Sequence, residues 1–260
     1  MNAQINQEVL SLITESKIYL ERKKYSEAFS TINEALSLDN QNFEAYFVRA
    51  EINFAINKYE EALKDYENAI DNNKMYYPQA LNGKILSMTF LGNIKEALDI
   101  VDKAIELNPT DPDFYYSRGI INTEREKYSK AIEDFDKALS LGDDNEFRIF
   151  LYRGVAKLSL EQYDSALEDL NSAIEMDPKN ASAYHSRGRV YYELREYNSA
   201  IKDFETSLKF NPQNEVAYYN LGMAYYRLGD MEEACKHFHE SCSMEFKHAC
   251  KMIVVECNEK

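Results

Sequence analysis

The 260-residue sequence is poor in residues that interrupt regular structure, with 8 glycines and 5 prolines. That scarcity argues against a loop-rich or all-β architecture. No apolar run approaches the ~20 residues that a membrane-spanning helix needs, so no membrane partner is expected. The opening residues, Met1 to Asn6, carry neither the basic start nor the apolar stretch of a secretory leader. The expected location is therefore cytoplasmic, where thiols stay reduced. Positive charge is also in deficit: 30 Lys plus Arg stand against 45 Asp plus Glu, a net charge of −15. Nucleic acid and anionic lipid both call for a positive surface and are disfavoured as partners. The acidic balance fits a chain that meets other proteins. There is no phosphate loop, no G-x-S-x-G, no H-E-x-x-H and no paired metal motif. Lone His185 reads as a groove or packing residue rather than a base. No enzymatic activity, cofactor or metal is expected.

What is present is a repeat. Ala followed by an apolar or Cys residue recurs at Ala28, Ala62, Ala97, Ala131, Ala166, Ala200 and Ala234, at intervals of 34, 35, 34, 35, 34 and 34 residues. Four residues after each comes a large apolar group: Ile32, Tyr66, Val101, Phe135, Leu170, Phe204 and Phe238. Three further on comes a small one, from Ala35 to Ser241. Most units place Tyr three residues before the Ala, as at Tyr25, Tyr59, Tyr128, Tyr163 and Tyr197. Spacings of three and four share one helical face. Pro109, Pro178 and Pro212 stop three of these helices. A second apolar helix precedes each, and a small residue on it (Ala50, Gly119, Gly154, Gly188, Gly222) allows a neighbour to approach closely.

These residues resemble the tetratricopeptide repeat family, a helix–turn–helix unit of about 34 residues. The resemblance covers almost the whole chain. It implies an all-α fold, a solenoid of stacked antiparallel helix pairs wound as a right-handed superhelix. The first helix of each pair would line a concave groove. One hairpin cannot bury its apolar face alone, so copies must stack. The expected organisation is an N-terminal extension over 1–8, seven units at about 9–42, 43–77, 78–111, 112–146, 147–180, 181–214 and 215–245, and a capping helix with tail over 246–260. The two extra residues are expected near Tyr76 and Asp144, at inter-unit turns.

Repeats allow covariation to be read within one chain. Arg49, Arg118, Arg153 and Arg187 each have Asp sixteen residues later, at Asp65, Asp134, Asp169 and Asp203. The three remaining units have neither. This predicts an ion pair inside each hairpin, a scaffold feature rather than a ligand site. The helix register places Phe47, Asn82, Tyr116, Leu151, His185, Arg189, Tyr219 and Met223 on the inward face, with Tyr192, Asn220, Tyr226 and Arg227 close by. Ile13 is expected inward as well. Rigidly held aromatics are good anchors for a bound peptide or protein segment, although any one of them could instead pack between units. Charged groups of the groove lean acidic in the first four units and basic in the last three.

One subset of the family captures acidic chaperone tails with a clamp of Lys, Asn and Arg. The corresponding positions here hold Ile13, Lys17, Val48, Gln79 and Gly83, or in the last three units Leu151, Val155, Ser186, Val216 and Asn220. Neither set matches, so a heat-shock chaperone tail is not the expected partner. The remaining oddity is terminal: all four cysteines (Cys235, Cys242, Cys250, Cys257) lie in the last 26 residues, with His237, His239 and His248. An antiparallel hairpin would set Cys242 opposite Cys250 and Cys235 opposite Cys257. Packing as reduced, mostly buried thiols against a cap is favoured. Disulfides are disfavoured by the compartment, and a metal site by the lack of tight Cys pairs. The expected function is a non-catalytic interaction scaffold or adaptor with another protein or peptide in its groove. The alternative is a thiol- or metal-responsive regulator using the terminal segment.

Overall fold

The computed structural model describes residues 2–73, 75, 77–143 and 146–257. Tyr76 and Asp144, at the expected insertions, lie outside the described residues, as do 258–260 of the expected tail. Fifteen α-helices and no strand occur among the described residues. They are α1 Asn2–Glu21, α2 Tyr25–Leu38, α3 Phe43–Ala55, α4 Tyr59–Asn72, α5 Pro78–Phe90, α6 Ile94–Leu107, α7 Pro112–Glu124 and α8 Tyr128–Ser140. There follow α9 Glu146–Ser159, α10 Tyr163–Met176, α11 Ala181–Glu193, α12 Tyr197–Phe210, α13 Glu215–Leu228, α14 Met231–Ser243 and α15 Lys247–Met252, the last running into a π-helical turn Ile253–Cys257. Two compact units form: residues up to Lys127 with Asp136–Gly142, and Tyr128–Phe135 with residues from Asp143 onward. None of the described helices is long and apolar enough to cross a membrane.

Two local signals set the helix ends. Asn42, Asn180 and Asn214 cap α3, α11 and α13, each side chain accepting from the backbone N–H three residues on. The turn inside each pair is a left-handed residue, at Lys23, Asn57, Gly92, Glu126, Glu161, Arg195 and Gly229, with φ between 57° and 84°. The next residue donates its N–H back across the turn, as in Lys58 to Asn53 O at 2.8 Å and Glu196 to Tyr191 O at 2.8 Å. This is the Schellman geometry that satisfies a helix's last carbonyls. Only two of the seven positions are glycine, so five side chains sit where a Cβ is strained.

The core is assembled three helices at a time. One cluster joins Ile13 of α1, Ile32 of α2 and Val48 of α3. The next joins Ala50 of α3, Tyr66 of α4 and Ala80 of α5, and another joins Ile85, Val101 and Phe114 of α5, α6 and α7. In the second unit the same arrangement links Leu151, Leu170 and Val190, then Phe204 with Leu221, then Phe238 with Ala249. A pair is thus completed only by the helix that follows it, the nearest-neighbour coupling of a solenoid. Close approach is required: a Cβ on Gly188 would lie 2.8 Å from the Phe204 ring.

The Arg–Asp pairs extend further than the hairpin. Arg49 holds Asp65 by two bonds, Nε–Oδ2 2.8 Å and Nη2–Oδ1 2.7 Å. Arg153 grips Asp169 at 2.8 and 2.6 Å, and Arg187 grips Asp203 at 2.7 and 2.8 Å. The carboxylates are buried. The remaining guanidinium nitrogen reaches sixteen residues back: Arg49 Nη1 to Asn33 Oδ1 at 2.9 Å and Arg187 Nη1 to Asn171 Oδ1 at 2.7 Å. Arg118 makes the same backward bond, to Asp102 Oδ1 at 3.0 Å; its expected forward partner Asp134 falls in the other compact unit. Each of the four guanidinium groups also lies over an aromatic ring one turn earlier, Tyr46, Tyr115, Phe150 or Tyr184, at 5.4 to 5.6 Å.

The cysteines depart from expectation. Cys235 is bonded to Cys257 and Cys242 to Cys250, with Cα separations of 5.8 and 4.8 Å, and no cysteine is free. All four are half-buried rather than buried. The facing pairs are those of an antiparallel hairpin. The expectation of reduced thiols followed from the compartment, whereas the turn at Phe246 itself carries the sulfurs within bonding reach.

Two stability outcomes follow. Asp203→Ala leaves Arg187 half-buried without its carboxylate and should cost roughly 3–5 kcal/mol in urea unfolding, while Arg187→Leu with Asp203→Leu should cost less than that single change. At the turns, Glu161→Gly should stabilise by about 1 kcal/mol and Gly229→Ala should destabilise by about as much, since only the φ>0 strain differs. No atom lies within 4 Å of a Cβ built on Gly229, so packing does not confound the second change.

Candidate binding surface

The first helices of neighbouring pairs touch one another, α5 with α7 in the first unit and α11 with α13 in the second. Their contacts recur at a separation of 35 residues. Ser117 donates to Asn82, Asn220 Nδ2 lies 2.9 Å from His185 Nε2, and Arg227 Nε donates to Tyr192 Oη at 3.0 Å. Because an amide nitrogen can only donate, His185 accepts at Nε2 and carries its proton on Nδ1. Burial, and secondarily the Arg189 charge, lower its pKa to about 4, so the ring is neutral near pH 7.

These contacts correct part of the expected groove lining. Ile13, Phe47, Asn82, Tyr116, Leu151, His185 and Tyr219 occupy one register. Tyr116, expected to be partly exposed, is 7% exposed; Leu151 is 9% exposed, and Asn82 and Ile13 are buried too. Phe47 is half-buried, its ring 6.1 Å from Tyr66 and 5.1 Å from Tyr77. The physical reason is visible at Asn82 and His185, which reach across to the next first helix. The register lies on the seam between first helices, and such positions pack before they face a groove.

One turn further along, the second unit opens. A cavity of about 250 Å³ is lined by Arg189, Tyr192, Glu193, Phe204, Tyr219, Asn220 and Met223. Five of these seven are among the residues singled out by register. Glu193, one turn beyond Arg189, is the acidic member expected among the groove's charged groups in the last three units, whereas Phe204 follows the spacing of a core residue and supplies a fully buried wall. Neither signal separates a cavity wall from ordinary packing. Arg189 and Glu193 are exposed, and among the described contacts neither has an ion pair. Tyr219 is half-buried, 5.9 Å from Phe238, 5.2 Å from Phe246 and 6.4 Å from His248, which brings the disulfide-tied cap beside the cavity. Met223 and Tyr226 pack partly against the last core cluster, while Arg227 is exposed. Among the described residues, no group of three or more His, Cys, Asp or Glu is placed to hold a metal ion.

The His185 environment gives a pH dependence of known sign. Its folded pKa of about 4 lies below the ordinary 6.5, so the unfolded chain binds the extra proton between those values. The stability it contributes is complete above the higher value and is lost as pH falls toward the lower one. His185→Gln, which can still accept from Asn220, should remove this part of the slope when urea midpoints are measured across that window.

Comparison with known proteins matches this geometry. A family model described as TPR repeat matches residues 154–194 and 188–229, one described as Tetratricopeptide repeat matches 216–248, and one described as TT21 fifth ARM repeats domain matches 43–148. A TPR repeat-containing protein of Methanocaldococcus jannaschii is 29% identical over 122 residues, 46% of this chain and 21% of that protein. Hsp70-Hsp90 organizing protein 2 of Arabidopsis thaliana is 31% identical over 93 residues, 36% of this chain and 16% of that protein. The chain thus spans about a fifth or less of the length of these relatives. Among solved structures, the APC/C hetero-tetramer Cut9-Hcn1 aligns with a TM-score of 0.71 at 21% identity, over 84% of this chain and 43% of that one. A tetratricopeptide repeat protein of Parabacteroides merdae aligns at 0.65 and 21% identity, over 97% and 100%. At such identities the structures speak to the fold alone. Together the matched repeats, the helix pairs and their three-helix clusters identify the chain as an all-helical repeat protein that carries tetratricopeptide repeats over residues 154–248.

Proposed function

We propose that this chain is a non-catalytic interaction module, a scaffold or adaptor that holds a peptide or protein segment on the inner face of its first helices. Tetratricopeptide repeat proteins mediate protein–protein interaction, which is the ground for the general reading. The observation that carries the specific one is the cavity between α11, α12 and α13, where Arg189, Tyr192, Tyr219, Asn220 and Met223 meet. Aromatic and arginine side chains around a partly enclosed hollow are the groups that dominate protein interfaces. Nothing in the donor set suggests a reaction: the His185 ring is neutral, half-buried and committed to Asn220. The seven-unit organisation expected from the repeat spacing, with the cap closing its end, belongs to the same proposal.

A chaperone tail remains outside it. Of the clamp positions in the first units, Ile13 and Val48 are buried, and Lys17 is taken by Glu44 at 2.6 Å. Among these positions the one cation is already paired with a carboxylate. This supports the exclusion on residues of this chain, although the Arabidopsis relative is an Hsp70-Hsp90 organizing protein by name.

The test is site-directed photo-crosslinking in extract of the cells that make the protein. A benzophenone amino acid at position 189 or 223 should give a discrete set of protein adducts. The same group at Leu107, an exposed site on a second helix (79% exposed), should not. Adducts from position 107 alone would move the binding surface to the other face.

A further inference from the structure

Resting on that interaction reading, we infer that the cavity of the second unit takes one large apolar side chain of an extended peptide and pairs an adjacent acidic side chain with Arg189.

Size decides the first half. At about 250 Å³ the hollow falls below the roughly 300–1,000 Å³ of sites for drug-sized molecules and cofactors. It has room for a side chain such as Leu, Met or Phe. Its apolar wall is the buried Phe204 ring, with Tyr219 and Met223 beside it. Filling it covers the apolar surface of Phe204, Tyr219 and Met223, while the polar groups of Arg189, Tyr192, Glu193 and Asn220 stand around it.

Charge decides the second half. The cations at the cavity and its edge are Arg189 and Arg227, and the anion is Glu193. His185 adds no charge near neutral pH, because burial holds its pKa low. The local balance is therefore positive on a chain of net charge −15, so this is a place where an acidic group meets attraction rather than repulsion. Hydrogen-bond capacity agrees. Arg227 uses Nε on Tyr192 Oη, which accepts that bond and keeps its own hydrogen to donate. Arg189 makes no ion pair among the described contacts, so its planar fork is free for a carboxylate. Glu193, one helical turn from Arg189, repels a second acid and fixes which end of the peptide lies where.

The experiment selects random phage-displayed peptides on the purified full-length chain and then measures synthetic winners by fluorescence anisotropy. The expected motif is a large apolar residue within two positions of Asp or Glu. Arg189 is exposed, so Arg189→Glu should melt like the parent. It should weaken the selected peptide about tenfold or more, an effect that salt diminishes. Replacing the peptide's acid by Lys should restore binding to Arg189→Glu. Peptides lacking an acid, or indifferent to Arg189→Glu, overturn this inference and leave the interaction reading standing. Failure to select any peptide while position 189 still crosslinks also overturns it, in favour of a folded partner surface. Self-association in sedimentation that Arg189→Glu abolishes would make the occupant a second copy of this chain, and would equally overturn it. Absence of both selected peptides and crosslinks defeats the interaction reading itself.

Discussion

A guanidinium midway along the first helix of a pair grips an aspartate sixteen residues ahead and an amide sixteen residues behind, and so pins three helices at one point, as Arg49 and Arg187 do. Arginine suits this task because its fixed fork presents donors in two directions, which a lysine cannot do. The aromatic ring one turn earlier covers the guanidinium face and excludes water from a pair that would be weak in the open. Such a pair adds less net stability than its short distances suggest, since both charges are desolvated. Its worth is in register: one slip along the helix would leave a buried carboxylate alone. In one of the three units that lack the arginine, Lys84 reaches Glu67 at 2.9 Å instead, a single-point contact on a more exposed partner.

That constraint propagates into the core. Where an arginine ties a pair to the one before, and an apolar cluster includes the first helix of the pair after, the described hairpins depend on their neighbours. The hairpin of α13 and α14 is followed by something other than a helix pair. A short helix and a π-helical turn take that place, with Ala249 buried against Phe238 and two disulfides holding them. A helix of six residues has too little apolar surface to dock firmly on its own, and the two disulfides tie it and its π-helical turn to α14.

The candidate binding residues collect where packing is incomplete. Between α5 and α7, Asn82 and Ser117 close the seam with buried polar groups. Between α11 and α13, the His185–Asn220 and Tyr192–Arg227 contacts leave a hollow between them, and Arg189 is left exposed at its mouth. The same repeated frame therefore carries a buried polar contact in one place and a hollow in another, through the identity of a few side chains.

Period and local chemistry were legible in the sequence. Spacings of 34 and 35 residues and the alanine–aromatic pattern repeat from unit to unit and act locally within each, so they define helices and pairs without knowledge of neighbours. Arg49 with Asp65, Arg153 with Asp169 and Arg187 with Asp203 were readable because both members vary together between copies. Tertiary structure alone decided what register cannot express. Tyr116 and Tyr219 hold equivalent positions, yet one is buried and the other half-open, because burial is set by residues of the adjoining helices. Phe204 has the spacing of a core residue and is also a cavity wall, since one ring can face two ways. The four cysteines could be placed opposite one another from the sequence, but whether the sulfurs bond depends on their separation in space, which the hairpin turn at Phe246 fixes.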